Sequence, residues 1–179
     1  MTADTLSIGL QVASSLGALG AALAAFFAAR ATKHAAEGQL LSAHLKEYGS
    51  DAMVRNLRLL RRWEHTHGQD FTVKFRTEMD SGNSEVDEIE KARREVKYFF
   101  YVAERLFASK LASQKFMREI CSLAGLGILL HIVGPLEYFL LGVPDPMYEQ
   151  YGQLCERFKI EEPTLRRTVV GQKDAANSK

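Results

Sequence analysis

Residues 84–107 read SEVDEIEKARREVKYFFYVAERLF, and this stretch decides the fold class. Ile89, Ala92, Val96, Phe99, Ala103 and Leu106 recur at alternating steps of three and four. That spacing stacks side chains on one face of an α-helix, where they form a seam for a partner helix. The polar positions agree with it. Asp87 and Lys91, Glu90 and Arg94, and Lys91 and Glu95 are opposite charges one helical turn apart. Ser84 with Asp87 reads as a variant capping box, with Glu85, Asp87 and Glu88 placed against the helix dipole. Tyr98, Phe99, Phe100, Tyr101 and Phe107 widen the apolar face. Rings of this kind bury roughly 150–250 Å² each, so the stretch is predicted to be a core helix rather than a base-stacking surface.

Helical spacing continues outward from this segment, and no run alternates in the manner of a strand. Toward the N-terminus, a helix is predicted over 52–65, capped by Ser50 or Asp51. Val54, Leu57, Leu60 and Trp63 or Glu64 mark its apolar face, and Arg55, Arg58 and Arg62 another. The stretch 68–84 is less periodic and ends in the turn residues Ser81, Gly82, Asn83 and Ser84. Toward the C-terminus, Ser113 is predicted to cap a helix containing Phe116, Met117, Ile120, Leu123, Leu126 and Leu130. That helix should stop before Gly134-Pro135, since proline lacks the N–H donor and crowds the preceding turn. A short helix from Pro135 to Leu141 and a last one carrying Met147, Tyr151 and Phe158 complete the body. His131 and Glu137 are predicted to be structural groups at one helix break, His131 in the core and Glu137 near a helix N-terminus. Residues 163–179 turn polar and aperiodic and are predicted to be a disordered tail.

The N-terminus is of another kind. No charged residue occurs from Thr5 to Ala29. Leu6 to Ala29, at about 1.5 Å rise per residue, reaches roughly 36 Å, against about 30 Å for a bilayer core. The run is predicted to be a single transmembrane anchor, residues 1–29. A cleaved signal peptide would carry a basic leading region, and here that region holds Asp4 with no Lys or Arg. Arg30 and Lys33 follow the run, so the body (residues 30–162) is expected on the cytoplasmic side of the inner membrane. Two cysteines far apart in sequence fit a reducing compartment. Gly9 and Ala13, Gly17 and Ala21, and Gly20 and Ala24 stand four apart, which lets helix backbones approach closely in lipid. These residues are the expected homo-oligomer interface. Residues 120–143 are apolar enough to raise a second span, against which stand His131, Glu137 and the Gly134-Pro135 pair; a buried body helix is the preferred reading.

Composition and motifs narrow the chemistry. Lys and Arg number 23 against 22 Asp and Glu, which argues against a strongly basic nucleic-acid domain. There is no phosphate-binding glycine loop, no Gly-x-Ser-x-Gly elbow and no third ligand for His65 and His67. No cofactor is called for. Arg55, Arg58 and Arg62 form a basic face suited to anionic lipid or phosphate. Cys121 and Cys155 lack a neighbouring base and are expected in the core.

Arg62 and His67 stand five positions apart at the end of a helix, with Trp63 directly after the arginine. This pair resembles the Arg–His motif of the HEPN family, helical bundles of which many are metal-independent ribonucleases. That resemblance implies a general acid–base role for Arg62 and His67 on RNA, although the family usually has a polar residue where Trp63 stands. The whole layout resembles uncharacterised bacterial membrane-anchored helical proteins: anchor, helix around Leu57 to Trp63, Ala92-Arg93-Arg94, Tyr98-Phe99, Gly134-Pro135-Leu136-Glu137, closing helix with Tyr151 and Phe158. It is also similar to the HEPN-like membrane accessory proteins of type VI CRISPR systems. The expectation is therefore an all-α protein with one transmembrane helix and a cytoplasmic bundle of about five helices. It is expected to act without catalysis, through protein contacts, as a homo-oligomer. The alternatives are a HEPN-like ribonuclease or defence effector, and an oligomeric pore lined by Gln11, Ser14 and Ser15.

Overall fold

The computed structural model describes the backbone of residues 3–161 and the side chains of residues 24–161. Among the described residues the secondary structure is entirely helical. The elements are α1 (Ala3–Tyr48), α2 (Asp51–His67), α3 (Phe71–Asp80), α4 (Ser84–Ala108), α5 (Gln114–Cys121), α6 (Gly125–Ile128), α7 (Gly134–Leu141) and α8 (Pro146–Phe158). A 3₁₀ turn, Gly68–Asp70, precedes α3, and a π turn, Leu129–Val133, joins α6 to α7. The chain divides into two units, one ending at His44 and the other beginning at Leu45.

In the first unit, α1 continues without a break from the charge-free run. All of Ala24 to Ala36 on it are exposed. Among the described residues no single helix is long and apolar enough to cross a membrane. The side chains of residues 1–23, which carry the expected interface positions Gly9, Ala13, Gly17, Gly20 and Ala21 and the expected pore residues Gln11, Ser14 and Ser15, lie outside the described residues, as does the tail 163–179.

The second unit is built around α4, which packs against α2, α3 and α5. Its buried seam is Val86, Ile89, Ala92, Val96, Phe99 and Ala103, joined by Phe100. Leu106 is only half-buried, and the seam begins one turn earlier than predicted, at Val86. The cap differs too. Asn83, not Ser84, is the N-cap, its side-chain oxygen accepting from the Glu85 N–H at 3.0 Å. On α2 the N-cap is Ser50, which accepts from Met53 N–H at 3.2 Å. The face that α2 buries is Met53, Asn56, Leu60 and Trp63, so the helix is rotated from the predicted face and Val54 and Leu57 lie at its edge. Asn56 belongs inside because it donates to the Glu95 carboxylate of α4.

The helix predicted from Ser113 to the Gly134-Pro135 pair breaks elsewhere. It stops at Cys121, and after a bend of 72° the chain runs from Gly125 to Leu141. The stop comes from a distant residue. The Tyr48 hydroxyl accepts the Gly125 N–H at 2.8 Å, capturing a free donor at the start of α6. A Cβ on Gly125 would stand 2.9 Å from the Tyr48 ring and 3.3 Å from Leu57, so the bend is built on a glycine. Pro135, in contrast, ends nothing. The Gly134 N–H reaches back to Leu129 O, and the wide π turn takes in the proline without a break. His131 sits in that turn half-buried rather than in the core. Leu126, Leu129, Ile132, Val133 and Leu136 are fully buried, so this apolar segment serves as a core helix of the body.

Tyr151 of α8 closes the core, donating its hydroxyl to Phe100 O at 2.7 Å, with the two rings edge to face at 5.6 Å.

Candidate functional site

Two places on the second unit gather polar side chains. The first is a cleft of about 150 Å³ at the end of α2, and it contains both Arg62 and His67. Gly68 sets its edge. With φ at +57°, Gly68 leaves the helix and donates its N–H to Glu64 O, which makes His67 the last residue of α2. Residues four apart share a helix stripe, so Arg62 lies with Thr66, and Trp63 with His67. The Trp63 and His67 rings are 4.0 Å apart, and the indole Nε1 donates to Phe71 O at 3.1 Å. Arg62 is exposed and His67 half-buried.

Sequence reasoning missed the other two charged groups of the cleft, Glu78 of α3 and Glu85 of α4. Asn83 ties them together. Its amide nitrogen donates to Glu78 Oε2 at 2.9 Å while its oxygen caps α4 through the Glu85 N–H. The missing signal was tertiary: α3 was not predicted as a helix, since only Phe75 of it is fully buried. Asn83→Ala should cost about 1 kcal/mol from the lost cap, read as a lowered thermal midpoint.

The second place is a cluster of charges between α4, α7 and α8. Glu137 is 4% exposed. It accepts from Lys97 Nζ and from the Tyr148 hydroxyl, and Arg93 Nη1 stands 3.7 Å away. Arg93 forks onto Glu90 through Nε and Nη2 at 2.7 and 2.9 Å. Lys97 also pairs with Asp145 at 2.8 Å, and Asp145 caps α8 by accepting from Met147 N–H at 2.9 Å. Burial favours the neutral form of Asp145, but the Lys97 and Met147 hydrogen bonds outweigh it and hold the carboxyl below its ordinary range. Burial likewise opposes the Lys97 charge, and Asp145 and Glu137 outweigh it and raise its pKa. Burial, with Glu137 beside it, pushes the Tyr148 phenol well up. Every charge here has an opposite partner, so the cluster is a clamp between helices.

The clamp has a pH signature. A carboxyl depressed on folding stabilises above its unfolded pKa and loses that stability as pH falls through its folded pKa. A lysine raised on folding does so in the opposite sense. Thermal stability should therefore hold from about pH 5 to 9, fall below about pH 4 as Asp145 protonates, and fall above about pH 10.5 as Lys97 deprotonates. A midpoint that rises on acidification would contradict this arrangement.

The other predicted residues lie apart. Arg55 and Arg58 are exposed on α2, and Ala24 is exposed on α1. Among the described residues no group of three His, Cys, Asp or Glu is placed to hold a metal. Cys121 and Cys155 are both buried, and burial together with the neighbouring Cys155 pushes the Cys121 thiol up to about 12. Thiol reagents at pH 8 should modify neither in the native protein and both after denaturation. Comparison of the chain with protein-family models, with curated proteins and with solved structures finds no match.

Proposed function

We propose that this protein is a membrane-anchored helical module that works through protein contacts, as a homo-oligomer, with its body in the cytoplasm. The observation that carries the reading is on α1. Residues 24–36 are exposed on every side, and Phe26 and Phe27 are 59% and 63% exposed. Burying such a ring contributes roughly 1.5–3 kcal/mol. Large apolar rings left exposed in this way call for lipid or another helix around them. The adjoining charge-free run to Leu6 and the following Arg30 and Lys33 favour lipid, with the basic residues at the headgroups. The small residues at Gly9, Ala13, Gly17, Gly20, Ala21 and Ala24 supply a close-packing stripe for like helices. On the body, Tyr98, Tyr138, Leu141 and Val143 are 56–64% exposed and offer contact surface of the kind that protein interfaces favour.

Mass photometry in detergent tests the assembly. The wild type should be oligomeric, and the Gly17→Leu, Gly20→Leu double variant should shift toward monomer. A strictly monomeric wild type at micromolar concentration would remove the oligomer from the account.

The ribonuclease alternative is favoured by one observation, that Arg62 and His67 share a cleft. Glu78 and Glu85 in the same cleft oppose a polyanion. Single-stranded RNA incubated with the protein should stay intact; cleavage abolished by His67→Ala would establish the alternative instead.

A further inference from the structure

We infer that the cleft between α2, α3 and α4 is a binding site for a small zwitterion of the amino-acid class. Its size sets the scale. An engineered protein cavity of the same roughly 150 Å³ holds one benzene, so a ligand of about six heavy atoms fits. Its charges set the chemistry. The α2 side provides the Arg62 guanidinium, with the Thr66 hydroxyl on the same stripe. The α3 and α4 sides provide the Glu78 and Glu85 carboxylates. Leu59, Trp63 and Ile89 supply apolar wall.

Each simpler ligand leaves part of this set unmatched. An anion would meet two carboxylates against one guanidinium. A plain amine would satisfy the carboxylates and leave Arg62 unused. A molecule with a carboxylate at one end and an ammonium at the other matches both, and guanidinium with carboxylate is a strong charge-assisted pair. Among the described residues no ion pair joins Arg62 to either carboxylate. One of the two carboxylates is also held in advance, and the other is anchored at its backbone. Asn83 fixes Glu78 by a 2.9 Å hydrogen bond and fixes the backbone of Glu85 by a 3.0 Å one. Preorganisation of this kind lowers the ordering cost of binding.

The molecule carries its own reporter, because Trp63 is the single tryptophan of the chain and lines the cleft. The test uses the full chain in detergent, titrated with glycine, L-alanine, β-alanine and 4-aminobutyrate while Trp63 fluorescence is followed. Propylamine and propionate serve as controls of similar size with one charge each. At least one zwitterion should give a saturable change, with both controls at least about tenfold weaker. Arg62→Gln and Glu85→Gln lie at exposed positions and should leave the circular dichroism and thermal midpoint unchanged. Each should weaken zwitterion binding by about tenfold or more. The inference is overturned if no zwitterion saturates, if propylamine binds as well as the zwitterions, or if Arg62→Gln binds like the wild type. It is equally overturned if inorganic phosphate or RNA displaces the signal with higher affinity than any zwitterion, which would return the cleft to phosphate chemistry.

Discussion

Glu137→Ala should lower the stability of the protein by about 3–5 kcal/mol, the cost of removing one partner from a buried ion pair. The carboxylate is 4% exposed and receives Lys97, Tyr148 and, at 3.7 Å, Arg93. Its removal leaves the Arg93 guanidinium shared only with Glu90 and the half-buried Tyr148 hydroxyl without its acceptor. For a body of this size the thermal midpoint should fall by about 10 °C or more. The conservative Glu137→Gln keeps the shape and two acceptor electron pairs but not the charge, so it should fall between wild type and alanine. A Glu137→Ala variant that melts with the wild type would mean that the clamp contributes nothing to joining α4, α7 and α8.

Gly125→Val should cost about 1–3 kcal/mol through overpacking. A Cβ alone would lie 2.9 Å from the Tyr48 ring and 3.0 Å from its hydroxyl, and the branched side chain adds bulk beside Leu57. The clash pushes Tyr48 away from the Gly125 N–H it accepts at 2.8 Å, so a buried donor at the start of α6 loses its acceptor as well. Gly125→Ala should show the same effect at smaller size. Urea denaturation of the two variants with an unchanged m-value would assign the loss to the native state. Equal stability of Gly125→Val and wild type would remove the Tyr48–Gly125 approach as the cause of the 72° bend.

The two residues on which these predictions rest differ in how far the sequence discloses them. The seam of α4 is legible because its pattern is local: Ile89, Ala92, Val96, Phe99 and Ala103 repeat with the helix period and are all buried. Glu137 is legible only as a charge in an apolar run, since its partners come from residues 40 positions before it and 11 after it. The stop after α5 is hidden altogether, because the group that receives Gly125 lies 77 positions upstream. Pro135 carries a strong local signal for a break, and a π turn absorbs it. The cleft is half legible. Arg62 and His67 are close in sequence and both line the cleft at the end of α2, whereas Glu78 and Glu85 reach it through the Asn83 turn between α3 and α4.

The central claim is that α1 holds this protein in a lipid bilayer, and extraction tests it most directly. The full chain is reconstituted into liposomes and the vesicles are washed in alkaline carbonate, which strips peripheral proteins and leaves spanning helices in place. The protein should stay with the vesicles, and it should be released once Leu10, Leu16, Leu19 and Leu23 are all replaced by glutamine. Recovery of the wild type in the carbonate supernatant would contradict it.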